Sequence, residues 1–385
     1  MSRSSSRSPS GPTEGPAMGS ATSRPAREAI RSRRRTVLAL MVLAVLVAVL
    51  FFLSLRLGWK WTFSPAEIMR GVGAELGLAA PLEGASRQVI LGLRLHRAWT
   101  ALAVGASLAL SGSLLQGLFR NGLASPSVIG VTAGSVLGAS FAIALVGGYG
   151  AGLVPLSTGF VTPALVSGAA LVGALGTTWL VLSLASRGGR VSVPTLLLGG
   201  IALNTVVGGL LATLQSVTLR DFEVSRAILA WTFGTLDDRT PWQVTLAWGG
   251  LLLGLAVVPF VARELDLFAT GEEDAAGLGV SVARVKWLVL LGATMPTACA
   301  VSVSGQIPFI GLVVPHIVRA VVGREHRRLL PVSALAGAAF LLGADLLNAR
   351  LLRDLQLQPG VLMSLIGGPF FLVLLVRQRR RGMGW

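Results

Sequence analysis

The sequence predicts an all-α fold: a polytopic membrane protein with about ten transmembrane helices. Three observations predict it. Hydrophobic residues make up 53% of the 385 residues and charged residues only 13%, against about 25% charged in an ordinary soluble domain. Ten apolar stretches approach the roughly 20 residues that cross a bilayer. Lysine and arginine gather on one side of those stretches. This composition excludes a cytosolic enzyme and a disordered chain. With Cys299 as its one cysteine, the chain is no disulfide scaffold. The net charge of +16 reads as topology and lipid-headgroup contact rather than nucleic-acid binding.

Residues 1–35 are rich in Ser, Arg, Pro and Gly. They cannot bury enough apolar surface to fold and are expected to be a disordered cytoplasmic tail. That tail is too long and polar for a signal-peptide start, so 37–55 is read as a retained first span. The remaining spans are expected at 98–118, 127–147, 160–185, 195–217, 243–262, 286–304, 310–322, 330–349 and 360–376. Together they form one transmembrane domain over 36–378, followed by a basic cytoplasmic end at 379–385. The apolar stretch at 88–118 would be about 46 Å long as one helix. That exceeds the bilayer core, so Arg94 and Arg97 are expected to project beyond the membrane.

Charge sets the orientation. With the N-terminus inside, 22 of the 33 lysines and arginines fall inside, as the positive-inside rule requires. Both termini are then cytoplasmic. Trp59, Trp61 and Trp242 land at the outer interface and Trp287 at the inner one. Gly130, Gly134 and Gly138, and likewise Gly250 and Gly254, repeat every four residues. That spacing gives a smooth helix face for close packing.

Several chemistries are missing. Lys60 and Lys286 are the only lysines, and neither follows a glycine, so there is no standard phosphate-binding P-loop. His96, His316 and His326 are far apart in sequence and form no metal motif. No nucleophile–base pair is readable. The chain is therefore not expected to be an enzyme or to hold a cofactor, and a gradient or a partner subunit must drive any work it does. Asp345 is the one carboxylate well inside an apolar run. It is either a structural group, paired with Arg350, or the coupling acid of an ion- or proton-driven secondary transporter.

The inner loop 263–284 breaks the charge pattern with Glu264, Asp266, Glu272, Glu273 and Asp274. Thr270 and Glu273 have capping-box spacing, and acids in a first turn suit a helix's positive end. A short helix closed by Gly277 and Gly279 is expected there. So short a helix needs a partner.

Several motifs in order resemble the FecCD family of ABC-importer permeases. Arg94-Leu95-His96-Arg97 resembles R-L-P-R. Gln116 followed by Arg120-Asn121-Gly122-Leu123-Ala124-Ser125-Pro126 resembles Q-x-x-x-R-N-P-L-A-x-P. Gly271 to Val280 resembles L-G-E-x-x-A-x-x-L-G-V. Gly305 to Arg319 resembles G-x-I-x-F-[IV]-G-L-[IV]-x-P-H-x-x-R, and Gly367-Gly368-Pro369-Phe370-Phe371 closes the match. The resemblance covers about 37–378. It implies the type II ABC importer permease fold, with two permease subunits (two copies or a sister permease) and two cytoplasmic ATPase subunits that bind ATP and Mg. It also implies a periplasmic or lipid-anchored solute-binding protein and a place in the bacterial inner membrane. The implied cargo is an iron-siderophore, haem or cobalamin, with iron-siderophore preferred.

The resemblance also implies residue roles. Glu272, Glu273, Ala275, Leu278 and Gly279 would dock into the ATPase. Arg94, Arg97 and, more weakly, Arg350 would pair with glutamates of the binding protein. Ser192, Val193, Pro194 and Thr195 would form the cytoplasmic gate. Asn204 would line the pathway or join helices. Asn121 and His316 read as structural. The chain departs from the family pattern at Gly122, Val193, Pro194, Ala276 and in the 345–359 segment.

Overall fold

Apolar side chains cannot hold a backbone in lipid unless its own polar groups are paired, and a helix pairs all of them within one segment. The computed structural model obeys that rule. It describes residues 23–57, 63–75, 88–147, 161–187, 190–352, 355 and 357–380. Trp59, Lys60, Trp61, the first 22 residues and the last five lie outside the described residues.

Ten helices fall on the ten expected spans. They are α1 (Ser23–Arg56), α3 (His96–Phe119), α4 (Val131–Val146), α5 (Val161–Ala185), α6 (Val193–Thr218), α8 (Pro241–Phe268), α10 (Val282–Ser304), α11 (Ile310–Val322), α12 (His326–Leu351) and α13 (Pro359–Arg380). Seven are long and apolar enough to cross a membrane alone; those at 131–146, 310–322 and 359–374 are shorter. Among the described residues, three further α-helices are too short to span: α2 (Pro65–Glu75), α7 (Phe222–Thr232) and α9 (Glu272–Gly277). A two-stranded hairpin of β1 (Ser186–Arg187) and β2 (Arg190–Val191) joins α5 to α6. The first boundary needs correction. Helix α1 begins at Ser23, so 23–35 is helical where disorder was expected.

Helix α3 is the centre of the bundle, and nearly every residue from Ala98 to Leu118 is buried. Lipid is as apolar as leucine, so close packing rather than hydrophobic transfer must hold such helices together. Glycine makes the contact close. A Cβ on Gly112 would stand 1.8 Å from the Gly311 carbonyl oxygen at the start of α11, and one on Gly105 would stand 2.3 Å from that of Gly337 on α12. The four-residue repeats pack in the same way: Gly134 against Gly173, Gly138 against Ala169, Gly250 against Cys299 and Gly254 against Pro296.

Between α10 and α11 the chain turns sharply. Phe309 takes a left-handed φ of 67°, which is uncommon for a residue with a side chain. Its ring packs where Gly367 of α13 leaves room. Gln116 of α3 fixes this bend from the other side. Its amide donates to the carbonyls of Gly311 and Leu312 (3.2 and 3.4 Å), and its oxygen accepts from the Arg319 guanidinium (3.0 Å). The two longest sequence motifs thus meet in space.

Candidate functional site

One end of the bundle carries the acidic helix α9. Its N-cap is Gly271, at φ 137° and without a side-chain cap. The expected Thr270 capping box does not form. Thr270 still belongs to the last turn before α9, and its hydroxyl donates to the Leu267 carbonyl at 2.9 Å. Glu272, Glu273 and Asp274 occupy the first turn of α9, where the backbone N–H groups favour negative charge. Glu273, Leu278 and Gly279 are exposed, Leu278 to 65%. Ala275 is fully buried against the same chain. Its methyl group therefore packs within the chain and is not part of the exposed surface of α9. Glu272 is half-committed: its carboxylate accepts a 2.8 Å hydrogen bond from Lys286 of α10.

The turn before α6 lies at the same end. Ser192 is the N-cap: its oxygen accepts from the Thr195 backbone N–H (3.4 Å) and from the Thr195 hydroxyl (2.9 Å). Val193 and Pro194 fill the first turn, where proline's missing N–H costs nothing. Further along α6, Asn204 donates to the Ser127 carbonyl at 2.9 Å. One turn earlier, Gly200 lets the backbone at Val128 come so close that a Cβ would stand 1.9 Å from its oxygen. Asn204 therefore ties α6 to the short 3₁₀ turn Pro126–Ile129. Beyond these contacts α6 is mostly exposed; Leu196, Gly200 and Val207 are its buried residues.

The opposite end holds the arginines. Arg94 closes a π-helical turn, Gln88–Leu95. Its guanidinium donates to the carbonyls of Leu55 (2.8 Å) and Arg56 (3.3 Å) and lies 4.7 Å from the centre of the Phe63 ring. It caps α1 rather than standing free. Arg97 forms a bidentate pair with Asp345 of α12 (2.8 and 2.7 Å) and a second ion pair with Asp237. The expected Asp345–Arg350 pair is therefore corrected. Arg97 reaches Asp345 from α3, while Arg350 is exposed and close enough to Arg94 for their charges to interact. Of the three arginines expected to pair with a binding protein, Arg350 is exposed, while Arg94 and Arg97 are partly buried in contacts within the chain.

The model of the FecCD transport family matches residues 46–377. The chain belongs to this family. It is 42% identical over 306 residues to the cobalamin import system permease protein BtuC of Halobacterium salinarum, covering 78% of each chain. It is 37% identical over 300 residues to the hemin transport system permease protein HmuU of Yersinia pestis, covering 76% of this chain and 85% of that one. Among solved structures, a chain described as an inward-facing conformation of a metal-chelate type ABC transporter superposes with a TM-score of 0.73 at 31% identity. That match covers 88% of this chain and 98% of the other. This FecCD protein is a multi-pass membrane permease of an ABC importer, a transport protein and not an enzyme.

Two features of this FecCD permease escaped the sequence reading. Lys286 enters the sequence reading only through the exclusion of a P-loop and the charge count, yet its ammonium is buried and bonded to two separate elements. Asp237 was unassigned, although it pairs with Arg97. Lys286 did carry one signal, as a cation at the start of an expected span and one of only two lysines in a chain that otherwise uses arginine. The pairing of Arg97 with residues 140 and 248 positions away leaves no local trace.

Proposed function

We propose that this permease carries a metal chelate whole across a bacterial inner membrane by alternating access. The cargo class is iron-siderophore, haem or cobalamin, with iron-siderophore preferred. Two ATPase subunits would supply the energy, and a solute-binding protein would deliver the cargo. A second copy or a sister permease would complete the pathway along the exposed face of α6. The end bearing α9, Ser192 and the basic Arg324–Arg328 segment would face the cytoplasm together with both termini.

The observation that carries this reading is α9 itself. It is an acidic helix of six residues with an exposed apolar tip at Leu278, at the same end as the turn that starts α6. Such a helix is too short to be stable alone. It is held by the permease at Ala275 and Glu272 and presents Glu273, Leu278 and Gly279 outward. ATP and Mg would be bound by the partner, and no residue here is assigned to them. Cargo imported as a chelate brings its own metal ligands, so the permease needs none.

A secondary transporter coupled through Asp345 has less support. Both oxygens of Asp345 already accept hydrogen bonds from one guanidinium, and the family drives transport through a separate ATPase. The test is mild-detergent extraction of the tagged chain from iron-starved cells, followed by mass spectrometry. A stoichiometric P-loop ATPase is the expected companion. A co-purified binding protein, stripped of ligand, would identify the chelate. No ATPase after gentle cross-linking would overturn the reading.

A further inference from the structure

Lys286 lies in the first turns of α10, with its side chain 7% exposed. Its ammonium makes two hydrogen bonds to different parts of the cytoplasmic end. One goes to the Glu272 carboxylate, the first residue of α9, at 2.8 Å. The other goes to the backbone carbonyl of Val191 at 2.9 Å. Val191 is the last residue of the hairpin and immediately precedes Ser192, the N-cap of α6. A single buried cation thus bridges the expected ATPase-docking helix and the entry to the expected gate.

We propose that Lys286 is the positioning residue that transmits movement of α9 to the gate turn Ser192–Thr195. The inference rests on the importer reading above. Its physical basis is the cost of stranding a buried charge. A buried ammonium that loses one acceptor is left with an uncompensated charge, so Lys286 follows Glu272 when α9 shifts. The Val191 carbonyl is held by the same nitrogen, and the next residue caps α6. A shift of α9 therefore reaches the cap of α6 through two bonds. No flexible loop has to carry it. An ammonium suits this place because it is a compact charge whose three donors can serve acceptors in different directions. The chain has only two lysines, and one of them stands here.

The experiment uses the complete importer, with its ATPase and binding protein, in proteoliposomes. Variants Lys286→Met, Lys286→Arg and Glu272→Gln are compared with wild type. Three quantities are read: ATPase retained on purification, chelate imported per ATP hydrolysed, and the response of a nitroxide at Thr195→Cys to ATP. Lys286→Met is expected to keep its ATPase and hydrolyse ATP, while import per ATP falls about tenfold, the size of an ordinary coupling free energy. The label at residue 195 should stop responding to nucleotide. Lys286→Arg, which can serve both acceptors, should restore most of the coupling, and Glu272→Gln should fall between. A merely structural pin would lower assembly and leave the ratio unchanged in what assembles. That result overturns the inference, as does a wild-type ratio and label response in Lys286→Met. A wild-type chain that binds no ATPase overturns the importer reading, and this inference with it. A wild-type complex that retains its ATPase, beside a Lys286→Met variant with wild-type ratio and label response, overturns this inference alone.

Discussion

Replacing Arg97 by Met tests the ion pair that joins α3 to α12. The side chains of Arg97 and Asp345 are 17% and 6% exposed, with two bonds at 2.7 and 2.8 Å between them. At about 4 Å between charge centres and an effective dielectric of about 20, the attraction is about 4 kcal/mol. Removing one partner of such a pair leaves the other charged and buried, which typically costs about 3–5 kcal/mol. The slight exposure of Arg97 places Arg97→Met near the lower end, about 3 kcal/mol. Asp345→Leu should cost less, about 2 kcal/mol, because Arg97 keeps Asp237. In the double variant neither charge is stranded, and stability should return to within about 1 kcal/mol of wild type. The double-mutant cycle then gives a coupling of about 4 kcal/mol. Reversible unfolding of the purified chain by titrated SDS in mixed micelles measures all four. Additive losses, or an Arg97→Met variant as stable as wild type, would show that the pair does not hold these helices together.

The remaining predictions concern packing, docking and pH. Gly112→Val should abolish the folded permease, because even a methyl would stand 1.8 Å from a backbone oxygen, whereas Gly209→Ala meets nothing within 4 Å and should melt like wild type. Leu278→Asp should reduce ATPase retention in a pull-down without changing the melting point. Ala275→Glu should lower both, since Ala275 packs inside the chain. Glu67 caps α2: its carboxylate accepts from the N–H and hydroxyl of Ser64 (2.7 and 2.8 Å), which hold its pKa below the usual glutamate value. A lowered folded-state pKa means the cap is intact above the ordinary glutamate pKa and opens as pH falls through the folded value. Hydrogen exchange at 64–68, corrected for its intrinsic pH dependence, should rise on acidification in wild type and be pH-insensitive in Glu67→Gln.

The spans could be read from the sequence because lipid imposes one rule on every one of them. A run of about 20 apolar residues has few alternatives to a helix. Helices α2 and α7 were missed for the complementary reason. They are 11 residues each and carry charges such as Arg70 and Arg226, so hydropathy passes over them. The glycine repeats were read correctly as packing surfaces, since spacing by four is itself the geometry of a helix face. The site was only partly readable. That α9 would be short and acidic followed from local composition, but its cap did not. Thr270 has the right residue type at the right spacing, yet Gly271 takes the cap position with a backbone conformation no pattern of letters records. Pairings such as Arg97 with Asp345, or Lys286 with Val191, depend on which helices become neighbours. Sequence periodicity reports which face of a helix is apolar and says nothing about what stands opposite.

The cap on α1 has a consequence for biogenesis. None of the apolar window of α1 is buried within the subunit. A polar hold lies at its far end, where Arg94 meets the carbonyls of Leu55 and Arg56. That arginine lies 39 residues downstream of Leu55. A chain leaving the ribosome therefore delivers its first helix before the group that finishes it has emerged. Until then the open carbonyls must be met by water at the membrane surface. The far end of the first span is completed only when the second arrives, and the order of synthesis becomes the order of assembly.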